Sequence, residues 1–235
     1  MSKTKIKYRR ILLKISGEIL GQNNEVLTPA VLDYISEQIV SAYNLGVKIA
    51  VVIGGGNIIR GKEVSWLNPV DADLCGMIAT VINGMALYSY LKKKISNVFL
   101  RSSFEVTGFV ENFHKIEDQT IYNQGGVMIL VGGTGNPLFT TDTAAALRAV
   151  ELSAQLLVKG TKVEGVYSAD PNKDKKAKFY RKITYKQAID RNLNVMDITA
   201  FRICKEAKIP ICVYNFMKYP LKKIILGEEV GTIVF

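Results

Sequence analysis

Val51-Val52-Ile53-Gly54-Gly55-Gly56-Asn57-Ile58-Ile59-Arg60-Gly61 decides the fold class of this 235-residue chain. The apolar run from Val47 to Ile53 reads as a buried strand, and three glycines follow at once. Glycine lets the backbone approach a ligand and take left-handed torsions. Free N–H groups at such a turn, beside a helix start, attract phosphate. Arg60 adds a planar fork of donors. The stretch reads as a βα turn of an α/β protein that handles phosphorylated ligands; a plain turn without a ligand is the alternative. Two familiar motifs are near misses. The dinucleotide pattern G-x-G-x-x-G fails because Ile59 stands at its third glycine. A P-loop from Gly56 to Lys62 fails because Glu63 replaces the hydroxyl residue that binds Mg²⁺.

Working outward, Ile11 to Leu13 read as a buried first strand with Lys14 near its C-terminal end, where open α/β sheets bind ligands. Lys14, with Ser16-Gly17 after it, can present an ammonium and N–H groups to one phosphate; a solvated strand-edge lysine is the alternative. Thr28-Pro29 predicts a helix start, with a hydroxyl N-cap and Pro at the first helical position. Val31, Leu32, Ile35, Ile39 and Val40 keep helical spacing up to Gly46. Gln22 to Glu25 form a polar loop before it. A long helix runs from Pro69 to Lys94 on Leu74, Met77, Ile78, Val81, Ile82, Met85, Tyr88 and Leu91. Asp71 and Asp73 in its first turn suit the helix dipole and equally a ligand's hydroxyls. Lys92, Lys93 and Lys94 read as its solvated end. Strands are expected at 98–100 and 127–131 and a short helix at 114–122, while 105–112 reads either way.

A second glycine-rich element follows, Gly132-Gly133-Thr134-Gly135-Asn136-Pro137-Leu138-Phe139-Thr140-Thr141-Asp142. Thr141 is placed to cap a helix over 142–153, so a phosphate can again meet a helix start. Asp142 is oddly acidic for such a site and suits orienting a lysine or a metal-bound phosphate. A fifth strand is expected at 155–158. After Lys159 and residues 160–171 comes a lysine-rich loop, 172–178, that is either plain surface or tracks a nucleotide. Helices at 184–191 and 197–207, the second capped by Asp197, and strands at 209–215 and 232–235 complete the pattern. Strand and helix alternate throughout. That predicts a single domain over 1–235, a three-layer α/β/α sandwich around a mainly parallel sheet.

Composition narrows the function classes. Apolar residues make up 48%, enough for a large core, and the net charge is +10. A basic balance suits polyanions, nucleotides included, although solubility alone accounts for it equally well. No interleaved aromatic–basic motif calls for a nucleic acid. Cys75, Cys204 and Cys212 have no C-x-x-C spacing, and His114 is the single histidine. A zinc site or Cys/His catalytic pair is not expected, and the cysteine usage suits a reducing compartment. The basic N-terminus lacks a signal-peptide core and no apolar run of about 20 residues is evident, so a cytoplasmic protein without membrane partners is expected.

Five segments in order carry a resemblance over roughly residues 8–234: Lys14-Ile-Ser-Gly-Glu, Gly54-Gly-Gly-Asn, Gly76-Met-Ile-Ala-Thr-Val-Ile-Asn-Gly, Gly135-Asn-Pro-Leu-Phe-Thr-Thr-Asp and Lys162-Val-Glu-Gly-Val-Tyr-Ser-Ala-Asp-Pro. They resemble the amino acid kinase superfamily and, within it, the bacterial uridylate kinases. The resemblance implies transfer of the ATP γ-phosphoryl group to UMP, with Mg²⁺ carried by ATP and no protein metal site. It implies an ATP site at Lys14, Ile15, Ser16, Gly17, Gly56, Arg60, Thr161, Tyr167 and Asp170. It implies a UMP site at Gly55, Asp73, Thr134, Gly135, Asn136, Pro137, Leu138, Phe139, Thr140 and Thr141. Lys14, Arg60 and Asp142 are the expected catalytic residues, with Asp197 as an accessory. A homohexamer is implied, with part of helix 71–94 between subunits, as is feedback by UTP. The segment Gly21-Gln-Asn-Asn-Glu-Val-Leu-Thr28 lacks the Gly-Phe-Gly-Ile-like motif tied in the family to GTP activation, so that activation is expected to be weak or absent. A sister kinase acting on a carboxylate or carbamate, and a non-catalytic nucleotide- or nucleic-acid-binding regulator, are the alternatives.

Overall fold

Strand β1 (Arg10–Ile15) is buried on both faces, as a central parallel strand must be, and its period of two deals its side chains to two cores. Ile11, Leu13 and Ile15 enter one core and Leu12 the other. β2 (Lys48–Ile53) and β6 (Leu156–Thr161) flank it in parallel and obey the same alternation. The computed structural model describes residues 5–22, 25–60, 64–171, 173–193 and 195–235.

The remaining strands extend this centre into a nine-stranded sheet. On the β2 side lie β5 (Val127–Val131), β3 (Val98–Ser102) and the short β4 (Glu111–Asn112). On the β6 side lie β10 (Ile211–Asn215), β11 (Thr232–Val234) and β9 (Lys182–Ile183). Every pairing is parallel except β10 with β11. β7 (Val166–Tyr167) and β8 (Phe179–Tyr180) form a separate antiparallel ribbon. The chain moves from β1 toward β2, then returns from β5 to β6 on the opposite side of β1. The order therefore reverses at β1/β6, the kind of crevice where open α/β sheets bind ligands.

Helices cover both faces. α1 (Pro29–Asn44), α2 (Pro69–Lys92) and α7 (Leu221–Leu226) pack on the first core; α3 (Lys115–Asn123), α4 (Thr141–Glu151), α5 (Tyr185–Asp190) and α6 (Ile198–Glu206) pack on the second. The expected three-layer α/β/α architecture with a mainly parallel sheet is what the chain adopts.

Local readings needed correction where a distant partner decides. Thr28 stands at the N-cap of α1 with Pro29 next, as expected, but its side chain makes no cap bond; its hydroxyl accepts from the Gln22 N–H at 2.9 Å and closes the preceding loop instead. Lys94 is not simply solvated, because it pairs with Asp33 and Glu37 of α1. The short α7, with its Gly227 αL stop, adds a helix that the expected pattern lacks. α2 is long and apolar enough to cross a membrane by length and composition, contrary to expectation. It is nevertheless a core helix. Gly84 lets it press on the sheet, where an added Cβ would lie 2.2 Å from Val131, and Leu87 and Leu91 are fully buried.

Candidate active site

Register builds the centre of the site. β1 and β6 pair so that Lys14 lies directly beside Lys159. Each follows by two an apolar residue of the second core, Leu12 and Leu157, so both side chains leave the sheet toward α4. Adjacent like charges on one sheet face repel. The first turn of α4 answers with Asp142. Its Oδ1 lies 2.9 Å from Lys14 Nζ and its Oδ2 2.6 Å from Lys159 Nζ. Alanines 144, 145, 146 and 149 give α4 a thin buried face, so it can sit close enough for this contact.

The three side chains are 6–8% exposed as residues, so their charges act in a poorly screened setting. Burial works to raise the Asp142 pKa, yet the two ammonium groups prevail and hold it at about 2. Burial likewise pushes the Lys159 ammonium below its ordinary value, against the pull of Asp142. The two lysines share Asp142, and the Asp197 carboxylate also draws on Lys159, so the switch point holds paired, fixed donors that suit a phosphate group. Asp197, the N-cap of α6, braces the group from behind: it accepts from the hydroxyls of Thr140 at 2.5 Å and Thr143 at 2.9 Å, and from Ala200 N–H at 2.7 Å. Burial pushes the Cys204 and Cys212 thiols up to about 12, which keeps these two side chains unreactive core residues.

A cavity of about 510 Å³ opens beside Lys159. It gathers four expected ATP-site residues, Ser16, Thr161, Tyr167 and Asp170. Ile15 is fully buried in the first core, so only its backbone faces ligand chemistry. Gly56 and Arg60 line a second cavity of about 310 Å³. There the Arg60 guanidinium meets Glu18 at 2.9 Å and donates to Gly56 O at 3.2 Å. Gly17 joins the two regions, since a Cβ there would come within 2.6 Å of Gly56 N.

Several of the expected UMP residues are tied to one another by local contacts. Loop 132–140 turns through left-handed torsions at Gly132, Gly133, Gly135 and Leu138. Its exposed Leu138 (φ 70°) is held there by a hydrogen bond from its N–H to Asp73 Oδ2 at 2.8 Å. Thr134 Oγ1 donates to Asn136 O at 3.0 Å and shapes the tip, where Pro137 and Phe139 follow. Thr140, not Thr141, caps α4, accepting from Asp142 N–H at 3.0 Å. Thr141 instead turns toward Gly54. Gly55 lies against α2, where a Cβ would meet Gly76 O at 2.6 Å. Glycine at 55 is thus needed for packing as well as for ligand approach.

Lys159 lies outside the expected site residues because the apolar run of the fifth strand stops at Val158, whereas β6 continues to Thr161. The signal was present: Leu157-Val158-Lys159 repeats the pattern of Leu12-Leu13-Lys14, two apolar residues and then a lysine at a buried strand's end. Arg191, Leu193 and Val195, which also line the larger cavity, gave no such signal. Lys173 of the lysine-rich loop lies there too. The polar-loop reading at 22–25, the GTP-related departure and the near P-loop fall partly on residues 23–24 and 61–63, outside the described residues.

A mainly parallel sheet with paired lysines at its switch point and glycine-rich loops on both sides suits an enzyme that handles phosphate groups. Residues 9–215 match the model of the amino acid kinase family, and the chain belongs to that family. More particularly, it is 44% identical to the uridylate kinase of Legionella pneumophila (strain Corby), over 99% of this chain and 96% of the relative. Among solved structures it is similar to the UMP kinase of Bacillus anthracis (TM-score 0.92, 33% identity, covering 97% and 96% of the two chains). The UMP kinase of Ureaplasma parvum is comparably similar (TM-score 0.90, 34% identity, covering 97% and 99%).

Proposed function

We infer that the chain transfers the γ-phosphoryl group of ATP to UMP, giving ADP and UDP. The observation that carries this reading is the buried Lys14–Asp142–Lys159 triad set between the larger cavity and loop 132–140. Full-length likeness to uridylate kinases supports UMP as the acceptor.

In the proposed reaction a phosphate oxygen of UMP attacks Pγ, the bond from Pγ to the β,γ-bridging oxygen breaks, and ADP leaves with that electron pair. A phosphate monoester is already nucleophilic, so the work is positioning and charge neutralisation. Lys14 neutralises the transferring group. Lys159, which lines the donor cavity, faces the donor phosphates. Asp142 holds both ammoniums in place, and Arg60 stands where donor and acceptor phosphates meet. Ser16 and the backbones of Ile15, Gly17 and Gly56 hold the ATP phosphates, with Thr161, Tyr167 and Asp170 on the nucleoside. Gly55 and residues 134–141 hold UMP. Asp73 spends one oxygen on Leu138 and keeps the other for a ribose hydroxyl.

The carboxylates nearest the triad are engaged by lysines, hydroxyls and an N–H, which suits a Mg²⁺ ion that keeps phosphate and water ligands rather than a protein cage. Asp142 and Asp197 would receive its waters, and the ion would supply further neutralisation of the phosphates. UTP is expected to compete with UMP for the acceptor wall, and GTP is expected to activate weakly or not at all; a several-fold rise in rate with GTP at subsaturating ATP would overturn the latter. A single domain over 1–235, a cytoplasmic location and a homohexamer complete the proposal.

The test is ADP release with ATP and Mg²⁺, comparing UMP, CMP, dUMP and no acceptor, with Lys14→Ala alongside. Turnover on UMP that collapses in the variant supports the reading. Folded protein that binds ATP but turns over no nucleotide overturns it.

A further inference from the structure

Between the two glycine-rich loops sits a pair of asparagines to which the proposed reaction assigns nothing. Asn83 lies on the inward face of α2 and is fully buried. Its Nδ2 donates to Asn57 Oδ1 at 2.7 Å, and Asn57 Nδ2 donates back to Asn83 Oδ1 at 3.0 Å. The remaining amide protons are also used: Asn83 donates to Gly54 O at 2.7 Å and Asn57 to Val26 O at 2.8 Å. The two carbonyl acceptors fix the orientation of both amides, and each side chain must donate and accept at once. Only a primary amide does that at this size.

The ring ties four segments together: the approach to α1 through Val26, the turn after β2 through Gly54 and Asn57, α2 through Asn83, and the turn after β1 through Gly17. A Cβ at Gly17 would lie 2.7 Å from Gly54 O and 2.8 Å from Asn57 Oδ1, so the turn carrying Lys14's neighbours rests directly on the clasp. With the Gly54 carbonyl drawn toward Asn83, the N–H groups of Gly55 and Gly56 are left without partners among the described residues. Gly56 belongs to the proposed donor side and Gly55 to the acceptor side.

We propose that the Asn57–Asn83 amide ring is a positioning device that sets the donor-side turn at Gly17 and Gly56 in register with the acceptor-side Gly55, and so aligns the two phosphates for in-line transfer. This rests on the phosphoryl-transfer reading. Asn57 also lines the cavity of Gly56 and Arg60, but both its amide protons and its carbonyl are spent on the clasp, so loss of the clasp acts on alignment more than on binding either substrate alone.

The test uses the full chain as Asn57→Ala, Asn83→Ala and the double variant. Asn57 is partly exposed, so its variant is the one expected to fold without difficulty. Misalignment of about an ångström lowers rates by up to about a hundredfold. Each single variant is therefore expected to lose about tenfold to a hundredfold in kcat, with the dissociation constants of ATP and UMP, titrated singly, within about twofold of the parent. The double variant is expected to be no worse than the poorer single one, because either change opens the whole ring. Unchanged kcat with a lowered melting temperature would make the ring structural only and overturn the proposal. Hydrogen exchange over residues 52–58 is read on the same proteins and needs no turnover. Faster exchange in both single variants is expected, and unchanged protection overturns the clasp whatever the acceptor. Failure of the unmodified chain to phosphorylate UMP, by contrast, is failure of the functional reading.

Discussion

At the scale of single residues the site is governed by one carboxylate between two ammoniums. Asp142 has a folded pKa of about 2 against an ordinary 3.8, a depressed value, so its contribution is present above pH 4 and is lost as pH falls through 2. That shift corresponds to about 2 kcal/mol. Urea midpoints between pH 4 and pH 2 are expected to fall more steeply for the unmodified chain than for Asp142→Asn. Lys159 has the opposite consequence at neutral pH: its depressed pKa means that the buried charge costs stability, relieved as pH rises toward 10.5. Removing Asp142 leaves that charge and Lys14 uncompensated, so Asp142→Asn should cost about 3 kcal/mol at pH 7 by urea titration. On the proposed reading Lys159 faces the donor phosphates, so with Lys159→Ala kcat should fall about a hundredfold in the ADP-release assay.

Elements decide how the loops are held. Thr140 caps α4 and donates to Asp197, whereas Thr141 occupies the first helical position. Thr140→Ala is therefore expected to cost about 1 kcal/mol in urea unfolding, and Thr141→Ala less than about 0.5 kcal/mol. Reading Thr141 as the cap was an error of one residue. Both threonines satisfy the sequence preference, and only the contact with Asp197 on α6 breaks the tie. α2 also supports loop 132–140, the proposed acceptor side, where buried Thr80 Oγ1 accepts the Gly132 N–H at 2.7 Å. Thr80→Val should orphan that donor and raise KM for UMP about tenfold, with KM for ATP within about twofold, in steady-state kinetics. An equal rise for both substrates would contradict the assignment of loop 132–140 to the acceptor alone.

The whole molecule presents an apolar stripe on the outward face of α2: Val70, Leu74, Ile78, Ile82 and Met85 are all exposed. A run of apolar side chains at helical spacing is the kind of surface that subunit contact covers. With the proposed homohexamer, a second copy of the chain covers it. Ile78→Lys is expected to lower the mass measured by light scattering after gel filtration, and an unchanged mass would remove this face from the assembly. The same helix holds Gly54 through Asn83 on its inward face, so one element serves the core, the loops and the proposed interface.

The alternation of strands and helices, the two glycine-rich turns, and Lys14 at the end of a buried strand are legible in the residue order alone. Those features are local. A period of two, a period near 3.6 and the torsional freedom of glycine are written within a few neighbouring residues. That Lys159 stands beside Lys14, that Asp142 bridges them, that the Thr28 hydroxyl closes a loop rather than capping its helix, and that Asn57 and Asn83 complete each other's hydrogen bonds emerges from the folded chain. Each of these depends on strand register or on a partner far along the chain. No local pattern carries that information, because pairing across a sheet is settled only when the two cores close around it.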